Sequence, residues 1–338
     1  MSVMTRRTML GALATSPLWL QPAWAESTSL KISHQFPGGS IAQGDFRDRL
    51  CRMFASEVEK RTRGSLRFSI YPNSTLHKAE AQIPALHQGA LDMALVPLSY
   101  AGAETPEVNI GLMPGLVTSY DQAAGWKNAE VGKELARILA EKGLVVVSWI
   151  WQAGGMASRR NPIVDPEQVQ GLKVRGGSHE MDLMLQAAGA TVVSLPSNEI
   201  HAAMRSGAID AALTSSTSLM SFRLQEVARG LTTARGGSYW FMFEPLLMSK
   251  SAFDRMSKDQ QAAVMAVGAD LETFARRAAQ SDDAAVVAVY QNVNARIVDL
   301  NAASLKRWQE VARSTAWQEY ASRNANCARL LALAEKTV

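Results

Sequence analysis

The phrase ALHQGALDMAL, Ala85–Leu95, returns 118 positions later (Ala203 opposite Ala85) within AAMRSGAIDAAL, Ala202–Leu213. Both copies read Ala, then Leu or Met, two polar residues, Gly-Ala, an aliphatic residue, Asp, one residue and Ala-Leu. Each spells an amphipathic helix end, a glycine suited to the left-handed C′ position, and a short apolar strand. A helix–Gly–strand joint is common in any α/β protein. Two such similar joints a domain's length apart, however, point to two similar α/β lobes, and a cleft between lobes is where small molecules bind.

The chain has 338 residues, about two domains on the usual length scale, with 47% hydrophobic and 20% charged residues, values of a globular protein. The first 25 residues read as a leader: Arg6-Arg7, the apolar run Met9–Leu20 and the small-x-small site Ala23-Trp24-Ala25. The paired arginines suit twin-arginine export, and a Sec route fits as well. The apolar run is too short to span a membrane. Removing the two leader arginines takes the formal charge from +4 to +2. With basic residues dispersed among acids, apart from Arg159-Arg160, this gives no footprint for nucleic acid. Cys51 and Cys327 sit in helical, partly apolar contexts and are expected to be buried free thiols, although an exported protein can form a disulfide.

Along the chain the patterning predicts strands at Leu30–Gln35, Leu66–Tyr71 and Leu91–Pro97, with a helix over Ile41–Thr62. A helix pair is expected over Tyr120–Glu141, followed by one buried strand, Leu144–Trp151. The second lobe opens with the turn Asn161-Pro162-Ile163 and then GLKVRG, Gly171–Gly176, with a strand at Leu172–Val174, a helix at Ser178–Ala188 and a strand at Ala190–Leu195. Ser197 is a candidate N-cap for the helix that carries the second copy. Helices are expected at Asp259–Ala278, Ala284–Asn294 and Ser304–Ala321, and a short strand at Ile297–Leu300. With no flexible tether in sight, crossing strands join the lobes. The first lobe takes residues 26–152 plus about 239–280, and the second 153–238 plus about 281–338.

Signatures of catalysis are absent: no G-x-x-x-x-G-K-[ST], G-x-G-x-x-G or G-x-S-x-G. His179-Glu180 starts like a zinc motif, but position 183 is Leu183, and the other histidines (His34, His77, His87, His201) are scattered. No cofactor or metal is expected. A triad built from distant residues would leave no such trace. What remains suits binding. Arg175 ends a strand beside Gly176-Gly177, where α/β lobes hold ligands, and its fork matches a carboxylate; a surface arginine paired with an acid reads equally well. Trp149, Trp151, Tyr239, Trp240 and Phe241 lie at the two crossings and either wall a cleft or pack a core. The hydroxyl run Thr214–Ser218 either lines a pocket or forms a loop and helix cap.

GLKVRGG, the joint Ala188-Gly189-Ala190 and TVVSLPSNEIHAAMRSGAIDAAL together resemble the DctP-class solute-binding proteins of tripartite ATP-independent periplasmic (TRAP) transporters. FRDRLCRMFASEVEKRTRGSLRFSIYPNSTL, QIPALHQGALDMALVP, EVARGLTT and SAFDRMSKDQQAAV extend the resemblance over nearly the whole chain after the leader. It implies a two-lobed α/β fold of the type II-like periplasmic binding kind, with lobes joined by crossing strands and a long helix. It also implies a binding role rather than an enzyme, a small organic acid as ligand, a membrane permease as partner and a monomer in the periplasm. The family's carboxylate-clamping arginine falls on Arg175. Its pocket asparagine falls on Thr214, which suggests a different substrate group at that point, and the second arginine of the sialic-acid branch falls on Gly155, which argues against sialic acid. Gln35, Ser99 and Ser178 fall near other pocket positions, and Trp240 and Phe241 where the crossover reaches the pocket wall. Aromatic density, Trp151 included, with a single clear arginine suggests an aromatic or apolar monocarboxylate. The competing readings are a secreted enzyme acting on an organic acid, and a binding protein that serves a membrane sensor.

Overall fold

Both copies of the repeated phrase fold as their spacing predicts. Helices Gln82–His87 and Ile200–Ser206 end at Gly89 and Gly207, whose φ angles are +70° and +78°, and a buried strand follows each. The repeated aspartate makes the same bond twice. Asp92 Oδ2 accepts the backbone N–H of Lys31 at 2.9 Å, and Asp210 Oδ2 that of Lys173 at 3.0 Å. Each carboxylate thus pins the first strand of its own lobe.

The computed structural model describes residues 27–337, so the expected leader lies outside the described residues. Its strands are β1 Thr28–His34, β2 Leu66–Tyr71, β3 Met93–Leu95, β4 Leu144–Ser148, β5 Trp151–Ser158 and β6 Lys173–Arg175, then β7 Thr191–Val192, β8 Ala211–Ser215, β9 Gly230–Thr233, β10 Phe241–Phe243, β11 Leu246–Ser249 and β12 Arg296–Asp299. One sheet runs β2-β1-β3-β11-β4, and the other β12-β9-β5-β8-β6-β7 with β10 added to β5. In each, the first three strands of the lobe are parallel in the order second, first, third, and an antiparallel strand flanks the third. The two lobes are one topology used twice, and the third-strand ends of both meet the seam between them.

The chain crosses that seam by strands and by a helix. Residues 144–151 do not form the single strand predicted. At Trp149 the backbone N–H leaves the sheet to donate to Glu272 Oε1 at 3.1 Å, so β4 stays in the first sheet and β5 opens the second. The two helices expected after Ser257 are one helix of 34 residues, Lys258–Gln291, started by a capping box of Ser257 and Gln260. It stays helical through its acidic middle because Tyr120 Oη donates to Asp283 at 2.7 Å and Thr217 Oγ1 to Asp282 at 2.7 Å. It packs on helix Phe46–Arg61 of the first lobe and on helix Ser216–Ser221 of the second.

Other boundaries move for local reasons. The first helix begins at Phe46 rather than Ile41, because Gly44 has φ +107° and Asp45 is the N-cap, accepting Arg47 N–H at 2.9 Å. Ser197 caps nothing; it begins a 3₁₀ turn, Ser197–Glu199, and its N–H donates to Tyr100 Oη at 3.0 Å. The strand expected at 190–195 shortens to the edge strand β7. The helix predicted over 304–321 starts at Ala302 and passes through a π turn at Arg313–Trp317. Cys51 and Cys327 are both buried and unpaired.

Candidate functional site

Arg175 is the last residue of β6 and only 2% exposed. Its Nε donates to the Leu195 carbonyl at 3.0 Å and its Nη1 to the Leu213 carbonyl at 2.7 Å. Of the five N–H donors of a guanidinium, these carbonyls take two. One remains on Nη1 and two on Nη2, which has no acceptor among the described residues. The bonds orient the guanidinium and leave three N–H donors, two of them on Nη2, as donors suited to a carboxylate. Asp182 is the nearby acid: its Oδ1 accepts Gly176 N–H at 3.2 Å. Burial pushes its carboxyl up to about 6, although Arg175 opposes the shift.

Residues on either side of the seam bond across it. Tyr100 Oη accepts from Gln35 Nε2 at 3.1 Å and from Ser197 N–H at 3.0 Å. Ser99 Oγ donates to the Gly177 carbonyl at 3.0 Å. Ser178 Oγ caps helix His179–Ala187 by accepting Met181 N–H, and it also donates to the Leu112 carbonyl at 3.3 Å. Asn109 Nδ2 donates to the buried Glu180 at 3.0 Å; burial pushes that carboxyl up to about 7. A groove of about 690 Å³ runs along this seam, lined by Ser99, Tyr100, Gly177, Ser178, Leu195 and Arg323 among others.

The hinge strands supply the floor. Trp240 Nε1 donates to the Gly176 carbonyl at 3.0 Å, and its ring lies on Gly154, where any Cβ would collide with it. Thr214 pairs across strands with Gly155, so the two positions that depart from the resemblance face each other. Its neighbours are Leu213, whose carbonyl holds Arg175, and Ser215, which caps the next helix.

The structure therefore gathers Arg175, Trp240, Thr214, Ser99 and Ser178, with Gln35 one hydrogen bond away through Tyr100. Trp151 and Phe241 it sends elsewhere. They occupy the opposite face of β5 and β10, where Trp151 packs edge-on against Trp126 (5.1 Å between centroids) and Phe241 against Tyr120 (4.8 Å). Strand alternation separates them from Trp240.

One buried cluster escaped the sequence reading. Arg47 is fully buried, clamped by Asp45 through Nε at 2.8 Å and Nη2 at 2.6 Å. Its Nη1 reaches Ser218 Oγ of the second lobe at 3.0 Å and Glu244 Oε2 at 3.4 Å. Gln152 Nε2 donates to the same Glu244 oxygen. Burial works to raise the Asp45 carboxyl, but Arg47 outweighs it and holds it below its ordinary value. Burial pushes Glu244 up to about 7 against the pull of Arg47. A signal existed: Arg47 lies on the apolar stripe of its helix with Leu50, Cys51, Phe54 and Val58. Glu244 is likewise the one acid in the apolar run Tyr239–Met248. Among the described residues no group of three or more His, Cys, Asp or Glu is arranged for a metal ion.

Comparison with known proteins gives a consistent picture. The model of the bacterial extracellular solute-binding protein family 7, DctP, matches residues 41–324. A solute-binding protein of Albidiferax ferrireducens is 60% identical over 338 residues, covering 99% of this chain and 100% of the relative. The crystal structure of a TRAP periplasmic solute-binding protein from Rhodoferax ferrireducens, with bound malonate, is similar with a TM-score of 0.90 at 63% identity, covering 91% of this chain and 98% of that one. A TRAP solute-binding protein from Sulfitobacter sp. NAS-14.1, with bound β-D-galacturonate, has the same fold: TM-score 0.83 at 22% identity, covering 91% and 100% of the two chains.

Proposed function

The chain belongs to the DctP family of bacterial extracellular solute-binding proteins, and we propose that it captures a small organic acid between its lobes, with the acid's carboxylate on Arg175, and hands it to the membrane permease of a TRAP transporter. It works in the periplasm as a monomer, after loss of the leader that ends near Ala25. The observation that carries the ligand class is the Arg175 guanidinium, held by two carbonyls with three of its N–H donors left over. The relative crystallised with malonate supports a carboxylate ligand.

The mechanism is capture without bond chemistry. An acid entering the open form meets the remaining donors of Arg175. Closure brings Tyr100 onto Ser197 and Ser99 onto Gly177, and as water leaves, the charge-assisted bonds to Arg175 strengthen in the lower dielectric. A monocarboxylate with aromatic or apolar body was expected from the aromatic density. Since Trp151 and Phe241 pack on the far face of the hinge, Trp240 is the aromatic that supports that idea.

A thermal-shift screen tests the reading. Malonate, other dicarboxylates, hydroxy acids, keto acids and aromatic acids are each added to the protein lacking its leader. A true ligand at 100 times its dissociation constant adds about 2.7 kcal/mol of stability. A flat response across all five classes counts against the assignment.

A further inference from the structure

We propose that one edge of the second sheet is a docking surface for an anionic lipid membrane, with Arg159, Arg160, Lys173, Arg229 and Arg296 set against its phosphates. The inference goes beyond ligand capture and draws nothing from Arg175.

In the sequence only the pair Arg159-Arg160 stands out; the sheet adds the rest. Five neighbouring strands, β12, β9, β5, β8 and β6 in that order, each bring a residue to the edge where the four parallel ones start and β5 ends. Backbone bonds fix the row. Arg296 N–H donates to the Arg229 carbonyl at 2.8 Å, and Arg229 N–H to the Ser158 carbonyl at 2.9 Å. Arg159 N–H donates to the Asp210 carbonyl at 2.9 Å, and Asp210 N–H to the Lys173 carbonyl at 2.7 Å. At the usual strand spacing the row is about 19 Å long. Arg296 Nη1 also donates to Asn161 Oδ1, which brings its charge beside Arg160. A groove of about 560 Å³ opens here, lined by Arg159, Arg160, Asn161 and Asp210 among others.

The charge on this edge is one-sided. All five basic side chains are exposed. Asp210 is the acid of the row, and it is already engaged: its Oδ1 lies 3.7 Å from Arg159 and its Oδ2 accepts Lys173 N–H. Arg160, Lys173, Arg229 and Arg296 pair with no carboxylate among the described residues. Five cations against one acid put the edge at +4, whereas the whole chain without its two leader arginines is +2, so the remainder sums to −2. Such a separation turns this edge toward an anionic surface. Guanidinium forks take phosphate oxygens in pairs. A single phosphate ion cannot reach along a row of about 19 Å, but a bilayer presents phosphates in a plane. β6 runs from Lys173 at this edge to Arg175 at the seam, so docking here leaves the ligand side of the sheet uncovered.

The test is co-sedimentation of the protein lacking its leader with vesicles of phosphatidylcholine, alone or with phosphatidylglycerol added. At about 0.1 M salt the protein should sediment with the phosphatidylglycerol vesicles and not with the neutral ones; at about 1 M, where the Debye length falls to about 3 Å, it should be released. Each basic side chain at such a surface contributes about fivefold, so Arg159→Glu combined with Arg160→Glu should weaken binding by about 25-fold or more. Lys60→Glu combined with Arg67→Glu makes the same charge change on exposed residues of the first lobe and should cost about threefold or less. Inorganic phosphate should displace no more protein than chloride at equal ionic strength. No binding to phosphatidylglycerol vesicles, equal binding to neutral ones, or an equal loss in the two double variants overturns the inference. So does displacement by inorganic phosphate, which would give the edge to a soluble phosphate compound instead. The wild-type comparisons decide even where a variant fails to fold, and none of them involves an organic acid, so the capture reading stands or falls separately.

Discussion

Trp240 on the hinge holds Gly176 in the second lobe: its indole Nε1 donates to that carbonyl at 3.0 Å, one residue beyond Arg175. The ring can lie there because Gly154 offers no Cβ; a methyl at that position would meet both the indole and the Thr214 carbonyl. The loop that follows Arg175 is therefore positioned from the hinge itself.

Removing that strut should have a graded effect. Trp240→Phe keeps a ring but leaves the buried Gly176 carbonyl unpaired, so stability should fall by about 1–2 kcal/mol, with ligand affinity weakened several-fold. Gly154→Ala forces the indole and the neighbouring strand apart, which should cost about 1–3 kcal/mol. Denaturant melts of the two variants beside the wild type check both. An unchanged midpoint for Gly154→Ala would mean the indole sits elsewhere.

Arg175→Ala should lower affinity for the acid by roughly two to three orders of magnitude, as for a lost buried charge-assisted pair. Arg175→Lys should recover little of it. An ammonium cannot hold the Leu195 and Leu213 carbonyls and still present a two-pronged edge to a carboxylate. Calorimetry showing wild-type affinity in Arg175→Ala would sink the site.

The paired aspartates should behave as scaffold. Asp92→Ala and Asp210→Ala each remove the acceptor for one strand's N–H. Each should reduce stability by about 0.5–1.5 kcal/mol and leave the dissociation constant within about twofold. A large loss of affinity in Asp210→Ala, with its fold intact, would give that residue a ligand role instead.

Acidity should stabilise the ligand-free protein. Burial raises Glu180 and Glu244 from 4.5 to about 7, and Asp182 and Asp283 from 3.8 to about 6. Between about pH 4 and 7 the folded state thus binds more protons than the unfolded chain at these sites, and stability falls as pH rises through that window. Asp45 and Asp48 are held low by Arg47, and by His34 and Arg52, against burial, so their contribution fades only in stronger acid. The Tm should therefore be higher at pH 5.5 than at pH 8. Glu180→Gln, which keeps an oxygen for Asn109, should flatten part of the slope. A Tm that climbs steadily to pH 8 would contradict this.

What the sequence determined by itself was local and repetitive. Glycine and aspartate in the two phrases dictated the helix ends and the strand starts, because φ above zero and an acid beside a strand's N–H are requirements of a few adjacent residues. The same spacing pointed to two lobes, and the strand-end position of Arg175 made it the candidate for holding a carboxylate. Tertiary structure decided everything that depends on a partner distant in the chain. Glu272 breaks the apolar run at Trp149 between two sheets, and Tyr120 and Thr217 carry one helix through acids that look like an interruption. Alternation across two paired strands turned Trp151 and Phe241 onto the face opposite Trp240. Arg47 and Glu244, 197 positions apart, meet only in the fold, since a buried charge needs a counter-charge and no local pattern can say where along the chain it will come from.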